Sequence, residues 1–350
     1  MKRTRLASAT AALLCLGLAL GGEVRTARAG SLASSVLGMF PKNVGEIGYA
    51  DVRTAREAKW FPQFEAQALP LRFSYFERFV ASAGLDISKQ VEELAWAAAA
   101  PPAQPAANPG ETGAAASGPT APPKFNGEEV VGIALGNFQP DVIDAFFKSQ
   151  KLPTTTVRGY TLYAFGSGIS PGDLFFFFLD SNTLAFGHRD PLEALIEVHF
   201  GDAESFLAND TLAPLVDEVN GQGTMWAAMN QQYAQTAVNR LLPGVAQFKG
   251  ADQLLGRVKG MTVTVQTDPG MDVQVTPLCG SAEDALTLAQ LLQAGMLFKR
   301  YQVSQTEPDM AKVIDGTSIS ADGDHLKIRT QLPNDLLLSL LRSNAFFSPM

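Results

Sequence analysis

Cys279 has the strongest chemical potential of any residue in the sequence. It stands between a predicted strand and a predicted helix start, where the helix N-terminal amides would lower the pKa of its thiol. A cysteine nucleophile also needs a base, and no histidine partner can be identified for it. The sequence leaves two interpretations of Cys279: a half-buried thiol without a chemical role, which we favour, and the nucleophile of an enzyme.

Three histidines, His188, His199 and His325, are the next candidates. They form no His-Glu-x-x-His pattern and no cysteine pair accompanies them, so the usual spacing of zinc ligands is missing. We expect structural roles instead: His188 ends a strand, His199 lies near the end of the following helix, and His325 follows a turn. With no Ser-x-x-Lys motif after residue 29 and no histidine partner for Cys279, the prediction is a protein that is not an enzyme and has no catalytic residues, metal or other cofactor.

The remaining chemical patterns are typical of turns and strand ends. Gly166-Ser167-Gly168 lacks the Gly-Lys-Ser/Thr that completes a phosphate-binding loop. Asp322-Gly323-Asp324 indicates a hairpin turn rather than a calcium loop, and Asp268-Pro269-Gly270 a turn between two strands. Glu92-Glu93 and Glu128-Glu129 are expected to solubilise strand ends rather than to form a catalytic pair.

These residues would be positioned by alternating strands and helices with short connections. Period-2 and apolar runs predict strands over 45–52, 91–96, 129–135, 155–165, 173–180, 183–188, 224–230, 258–267, 271–278, 317–321 and 325–330. Helical patterns are predicted up to residue 83, over 139–150, and from about residues 190, 231, 281 and 334.

The segment 97–124 is rich in Ala and Pro and cannot form a core, so it is predicted to be a flexible, partly polyproline-like loop. Because strands are predicted on both of its sides, we interpret it as an enlarged hairpin loop and not as a domain linker.

An internal repeat is the most informative pattern. A shift of 142 residues aligns 131–135 with 273–277, Leu184 with Leu326 and Pro191 with Pro333. Upstream, Tyr49 aligns with Trp226 at an offset of 177, which is larger because of the Ala/Pro-rich segment. The expected fold class is α+β: two related lobes of mainly antiparallel sheet with helices packed on one face, in the order β-α-β-β-α-β-β-α, over residues 30–220 and 221–350.

Alternation in 326–329 predicts a solvated face in the second half of the sheet, whereas the run Phe175 to Phe178 predicts burial on both faces. The abundance of Phe leaves one alternative open, a concave sheet that encloses a hydrophobic ligand or lipid, although ordinary core packing explains the same residues.

Residues 1–29 have the pattern of a secretory signal peptide, with Lys2 and two arginines before an apolar stretch and Ala27-Arg28-Ala29 before Gly30. We expect cleavage after Ala29, with Ala27, Ala29 and Gly30 defining the cleavage site, and a periplasmic or extracellular protein. An uncleaved N-terminal anchor is the alternative. Beyond the signal, no apolar run approaches the length of a membrane span.

Removal of residues 1–29 takes away five basic residues and one acidic residue and leaves a net charge of −12. Such a surface disfavours nucleic acid and acidic membranes as partners. Cys279 is then the only cysteine, so an internal disulfide is excluded and packing must stabilise the fold.

Several stretches resemble a family of bacterial exported proteins of unknown function with two related α+β repeats. They are Gly84-Leu85-Asp86 leading to 91–96, and Phe206-Leu207-Ala208-Asn209-Asp210 before the strand that contains Trp226. The resemblance implies a location in the envelope or outside the cell and supplies no catalytic residues. We therefore expect an exported, non-catalytic binding, scaffold or assembly protein whose partner is an envelope protein or a hydrophobic small molecule.

Overall fold

The computed structural model describes residues 30–68, 78, 81–82, 86–99, 130–170, 173–241 and 256–342, and the strands within these ranges form one twelve-stranded antiparallel sheet. The strands are β1 (Val44–Asp51), β2 (Val91–Ala99), β3 (Val130–Gly136), β4 (Thr154–Val157), β5 (Tyr160–Phe165), β6 (Leu174–Phe178), β7 (Thr183–Gly187), β8 (Met225–Asn230), β9 (Val258–Gln266), β10 (Met271–Cys279), β11 (Thr317–Asp322) and β12 (His325–Leu332). Their order in the sheet is β11-β12-β10-β9-β8-β1-β2-β3-β7-β6-β5-β4.

Helices connect these strands and cover the sheet. They are α1 (Ser34–Leu37), α2 (Val52–Arg56), α3 (Phe61–Ala68), α4 (Ile87–Gln90), α5 (Pro140–Gln150), α6 (Arg189–His199), α7 (Ala213–Val219), α8 (Gln231–Leu241), α9 (Ala282–Val303), α10 (Pro308–Asp315) and α11 (Asn334–Arg342), with a short 3₁₀ turn at Phe206–Ala208. The prediction of an α+β fold with a mainly antiparallel sheet is confirmed.

β2 and β3 pair antiparallel, with Trp96 opposite Gly132. The segment between them is therefore a hairpin connection, as the sequence predicts. Most of that connection, 100–129, lies outside the described residues, as do the predicted signal peptide and its cleavage residues Ala27 and Ala29.

The order of the strands has an internal correspondence. From the centre outward, β1, β2, β3, β7 and β6 stand on one side and β8, β9, β10, β12 and β11 on the other, with β5 and β4 as additions to the first half. Leu184 and Leu326, which align in the sequence, both follow a hairpin and both belong to the same buried cluster. The division into lobes at residue 220 remains a prediction, and β1 and β8 join the sheet across it without a break.

Two apolar clusters lie on opposite faces of the sheet because neighbouring strand residues point to opposite sides. The first cluster contains Leu94, Trp96, Phe176, Leu326 and the inner sides of α5, α8, α9 and α11. The second contains alternate residues, among them Ala95, Phe177 and Trp226, packed against α6, α7 and the 3₁₀ turn. The phenylalanine run of β6 is thus buried on both faces, as predicted.

The second cluster reaches β10 only at Leu278 and does not extend over β12 and β11. Lys327, Arg329 and Gln331 of β12 project to solvent on that side, while Leu326 and Leu332 are buried on the other. The predicted solvated face is confirmed. Helices therefore pack on one face of β10, β12 and β11. β8 and β9 are covered on both faces, by α7 and α8, and the first half is also covered on both faces.

Candidate functional site

Cys279 is the last residue of β10, and its thiol is fully buried in the first cluster. Burial raises the pKa of the thiol to about 11, and the carboxylates of Asp284 and Asp324 act in the same direction. The expected lowering of this pKa by helix amides is wrong, because burial and the two carboxylates raise it even though α9 begins three residues later, at Ala282. The thiol packs in the core.

The three histidines occupy the predicted local positions. His188 follows β7, with Nδ1 3.1 Å from the carbonyl oxygen of Asp173. His199 is the last residue of α6 and packs edge-on against Tyr160. His325 begins β12, half-buried, with Nδ1 2.8 Å from Oδ1 of Asp324 and Nε2 3.7 Å from Oε2 of Glu218 on α7.

Glu218 belongs to the helix layer over the second cluster, whereas Cys279 is buried in the first. The contacts of His325 are therefore on the face of the sheet opposite to Cys279. Across the described ranges, no group of three or more His, Cys, Asp or Glu side chains is close enough to hold a metal ion.

The acidic patterns have local partners. Gly323 has φ +57° between β11 and β12, so Asp322-Gly323-Asp324 is the predicted hairpin turn, and Asp322 pairs with Lys327 at 2.6 Å. Asp268-Pro269-Gly270 connects β9 to β10, again as predicted.

Glu92 and Glu93 differ from each other. Glu92 is exposed and lies 3.6 Å from Arg53, as expected for a solubilising strand residue. Glu93 is half-buried and hydrogen-bonded to Tyr49, and burial raises the pKa of its carboxyl group. The solubilising role predicted for Glu93 is therefore wrong. Glu128 and Glu129 lie outside the described residues.

Gly30, the predicted first residue after cleavage, is buried in the structure. Its carbonyl oxygen accepts hydrogen bonds from the indole Nε1 of Trp226 at 2.8 Å and from the amide of Gly221 at 2.9 Å. Gly30 has φ +68°, and a Cβ there would lie 1.6 Å from the carbonyl oxygen of Gly223, so only glycine fits. Asn220 holds the next turn of chain through both backbone groups of Leu32.

An open groove of about 770 Å³ lies near the C-terminal end of the described chain. The charged or polar residues Asp309, Lys312, Asp315, Gln331 and Asp335 are among those that line it. A carrier of a hydrophobic ligand requires an enclosed apolar chamber, which this groove is not.

The outer side of α9 carries the strongest signal for binding. Leu286 is 52% exposed, Leu297 71%, Phe298 63% and Tyr301 82%. We call these four residues the α9 outer face. A helix that is apolar all round is ordinarily buried all round, and contiguous exposed apolar groups mark interaction sites.

The inner side of α9 explains why the helix is held in place. Ala285, Leu288 and Ala289 are buried against β10, β11 and β12 in the first cluster. At the start of the helix the Ser281 hydroxyl accepts a hydrogen bond from the Asp284 amide at 3.2 Å, and the Asp284 carboxylate pairs with Arg257. That pairing and the bond to Ser281 lower the pKa of Asp284.

Two further contacts hold α9 against the edge strand β11 and against α10. Gln293 Nε2 donates to the carbonyl oxygen of Ile319 on the edge strand β11 at 2.8 Å. Near the end of the helix, Nε and Nη2 of Arg300 donate to the two carboxylate oxygens of Asp315, at 2.7 and 2.9 Å. The outer face is therefore presented by a rigid, anchored helix.

Sequence reasoning predicted the helix from residue 281 but missed its outer face. The available signal was the position of Leu286 and Leu297, which fall outside the 3-and-4 spacing of the buried Ala285, Leu288 and Ala289. Two apolar stripes on one helix predict two contacts, of which the sheet provides one.

No protein-family model matches this chain, and no curated protein matches it either. Among solved structures, three crystal forms of the Treponema protein TP0453 are similar. Form III is 10% identical and covers 88% of this chain and 97% of that chain at a TM-score of 0.49. Form I is 11% identical and covers 88% and 96% at 0.48, and form IV is 10% identical and covers 87% and 95% at 0.45. In the part of the chain that is described, no helix combines the length and hydropathy needed to cross a bilayer.

Proposed function

We propose that this chain is an exported, non-catalytic binding protein that docks a partner on the α9 outer face. The observation that carries the proposal is the exposure of Leu286, Leu297, Phe298 and Tyr301 on one anchored helix. Covering such water-exposed apolar side chains makes the free energy of binding more favourable, by about 25 cal/mol per Å² of buried apolar surface.

The composition of the α9 outer face supports docking rather than catalysis. Aromatic side chains such as Phe298 and Tyr301 are enriched at protein interfaces, where a large rigid ring buries much area at small entropic cost. The only thiol after residue 29 is buried with a raised pKa, which disfavours the enzyme alternative based on Cys279. Export is supported by the signal-like pattern of residues 1–29.

Site-specific photo-cross-linking in the native host tests the docking role. A photoreactive phenylalanine analogue at Phe298 should give one discrete covalent adduct, and the same analogue at Tyr301 should give an adduct of the same mass. Ile169 is the matched control, because it is 91% exposed on a loop remote in sequence from α9, and the analogue there should give none.

The proposal fails if no adduct forms from either α9 position, or if Ile169 yields the same products. A robust turnover by the purified protein that a single substitution abolishes would contradict its non-catalytic part.

A further inference from the structure

The polar residues that interrupt the apolar side chains along α9 identify what binds there. Toward the open side of the helix, six residues follow one another at spacings of 3, 4, 3, 4 and 3: Glu283, Leu286, Gln290, Gln293, Leu297 and Arg300. We call this row the α9 seam. Alternating spacings of 3 and 4 give the period of 3.5 residues by which two helices pack side by side.

Resting on the proposed docking role of α9, we propose that the partner is a second copy of this chain, with the two α9 helices packed antiparallel along their seams. In an antiparallel pair of identical helices the first seam residue faces the last. Glu283 then meets Arg300 of the second copy, Leu286 meets Leu297, and Gln290 meets Gln293.

Each of these layers is chemically matched. A carboxylate faces a guanidinium, leucine faces leucine, and an amide faces an amide that can both donate and accept. The two-fold symmetry of the pair repeats every layer, so one sequence supplies both sides of a closed, isologous contact. A parallel pair would instead place Glu283 against Glu283 and Arg300 against Arg300, and like charges would repel.

The seam is accessible for such a contact. Glu283, Gln290 and Gln293 are exposed, as are the two leucines. Arg300 uses Nε and Nη2 for Asp315, and its side chain remains 36% exposed. The guanidinium has five N–H donors, which is more than the two bonds to Asp315 require, so it can also donate to a carboxylate of the second copy. Gln293 uses its amide nitrogen for Ile319 and keeps its Oε1 as an acceptor.

A lipid surface fits the seam less well. Hydrocarbon would cover Leu286 and Leu297 but would offer no hydrogen-bond partner to the amide of Gln290 or to Oε1 of Gln293, and buried polar groups without hydrogen bonds are unfavourable. The second copy covers the same leucines and also pairs both amides.

Cysteine pairing tests the antiparallel register. The variants Leu286→Cys and Leu297→Cys, made in the chain from residue 30 onward, are oxidised mildly, each alone and as an equimolar mixture. A disulfide-linked dimer is expected in the mixture and not in either variant alone. Gln302→Cys, exposed on the same helix away from the seam, is the matched control and should not link to Leu286→Cys.

Sedimentation equilibrium of the unmodified protein provides the second measurement. We expect a monomer–dimer equilibrium that Leu297→Glu weakens at least about tenfold, since it places a carboxylate against Leu286 of the second copy. Cross-linking of each variant with itself would show a parallel pair and overturn the proposal.

A protein that is monomeric at every concentration and gives no cross-link would also overturn it. In that case, a photo-adduct from Phe298 with the mass of another protein would leave the docking role intact. An adduct of twice the chain mass is the result that both proposals predict.

Discussion

The ring of Tyr49 stacks on the indole of Trp226 across the join between β1 and β8, with ring centroids 5.8 Å apart and an interplanar angle of 22°. The two residues are directly opposite in the register of the strands. They are also the residues that the sequence aligns at an offset of 177. Tyr49 is therefore paired with the residue that the sequence alignment makes its counterpart. A duplication whose two halves are related by a two-fold axis would predict this pairing at the axis.

We predict that Trp226→Phe lowers the free energy of unfolding by about 0.5–1.5 kcal/mol, because it removes one of the two hydrogen bonds that the Gly30 carbonyl oxygen accepts and leaves only the one from the Gly221 amide. Trp226→Ala also removes a buried ring and should cost about 3–5 kcal/mol. Urea denaturation of the chain from residue 30 onward measures both. Leu207→Ala, at a 55% exposed position, is the control and should change stability by less than about 0.5 kcal/mol. Equal effects of all three substitutions would contradict this account of the join.

The alternation in β12 gives a second prediction. Leu326→Ala should lower the free energy of unfolding by about 2–5 kcal/mol, since Leu326 is buried in the first cluster. Lys327→Ala removes only an exposed ion pair with Asp322 and should cost less than about 1 kcal/mol. Chemical denaturation of the two variants checks which residues of β12 face the core. A larger loss of stability in Lys327→Ala than in Leu326→Ala would mean that the strand faces the other way.

Much of this fold could be predicted from the sequence because its signals are local. Alternation in 326–329 identified the solvated face, and the run of phenylalanines in β6 identified a strand buried on both sides. The positions of helices relative to the two faces could not be predicted. Pro191 and Pro333 open helices at equivalent places in the sequence, yet α6 packs on the second cluster and α11 on the first. That difference depends on contacts between distant segments, such as α11 with α3.

The site was harder to predict for a related reason. The sequence places Cys279 before a helix, and only the packing of β10 reveals that its thiol points into the core. Likewise, Leu286 and Leu297 read as ordinary helix residues until the sheet is seen to cover the other side of α9.

Cys279 provides a third prediction, on pH. Its thiol pKa is raised to about 11 in the fold and returns to an ordinary value of about 8.5 on unfolding. The protonated thiol is therefore favoured by the native state, and its contribution to stability is complete below the unfolded pKa and is lost as the pH rises toward the folded pKa.

We expect Cys279 to react slowly with a thiol reagent at pH 8 in the native protein and quickly in urea. Ile169→Cys, on an exposed loop, should react quickly in both states. Fast native reaction of Cys279 at neutral pH would contradict its burial and would revive the enzyme alternative.

The anchoring of α9 gives a fourth prediction. Ser281→Ala removes the N-cap and should lower the free energy of unfolding by about 0.5–2 kcal/mol. Because the pKa of Asp284 is depressed in the fold, its contribution to stability is present at neutral pH and is lost as the pH falls through that folded pKa. The stability difference between the natural protein and Asp284→Asn should therefore shrink in acid. Arg257→Gln should show the same convergence, and a difference that stays constant with pH would rule out the ion pair as its cause.

The account depends most on the claim that a partner covers the α9 outer face in the native compartment, and thiol accessibility measures this directly. Tyr301→Cys and Ile169→Cys are labelled with a membrane-impermeant maleimide, in dilute purified protein and in the native host. We predict that both thiols react readily in dilute solution, and that only Tyr301→Cys is protected in the host. Equal labelling of the two positions in the host would contradict the claim.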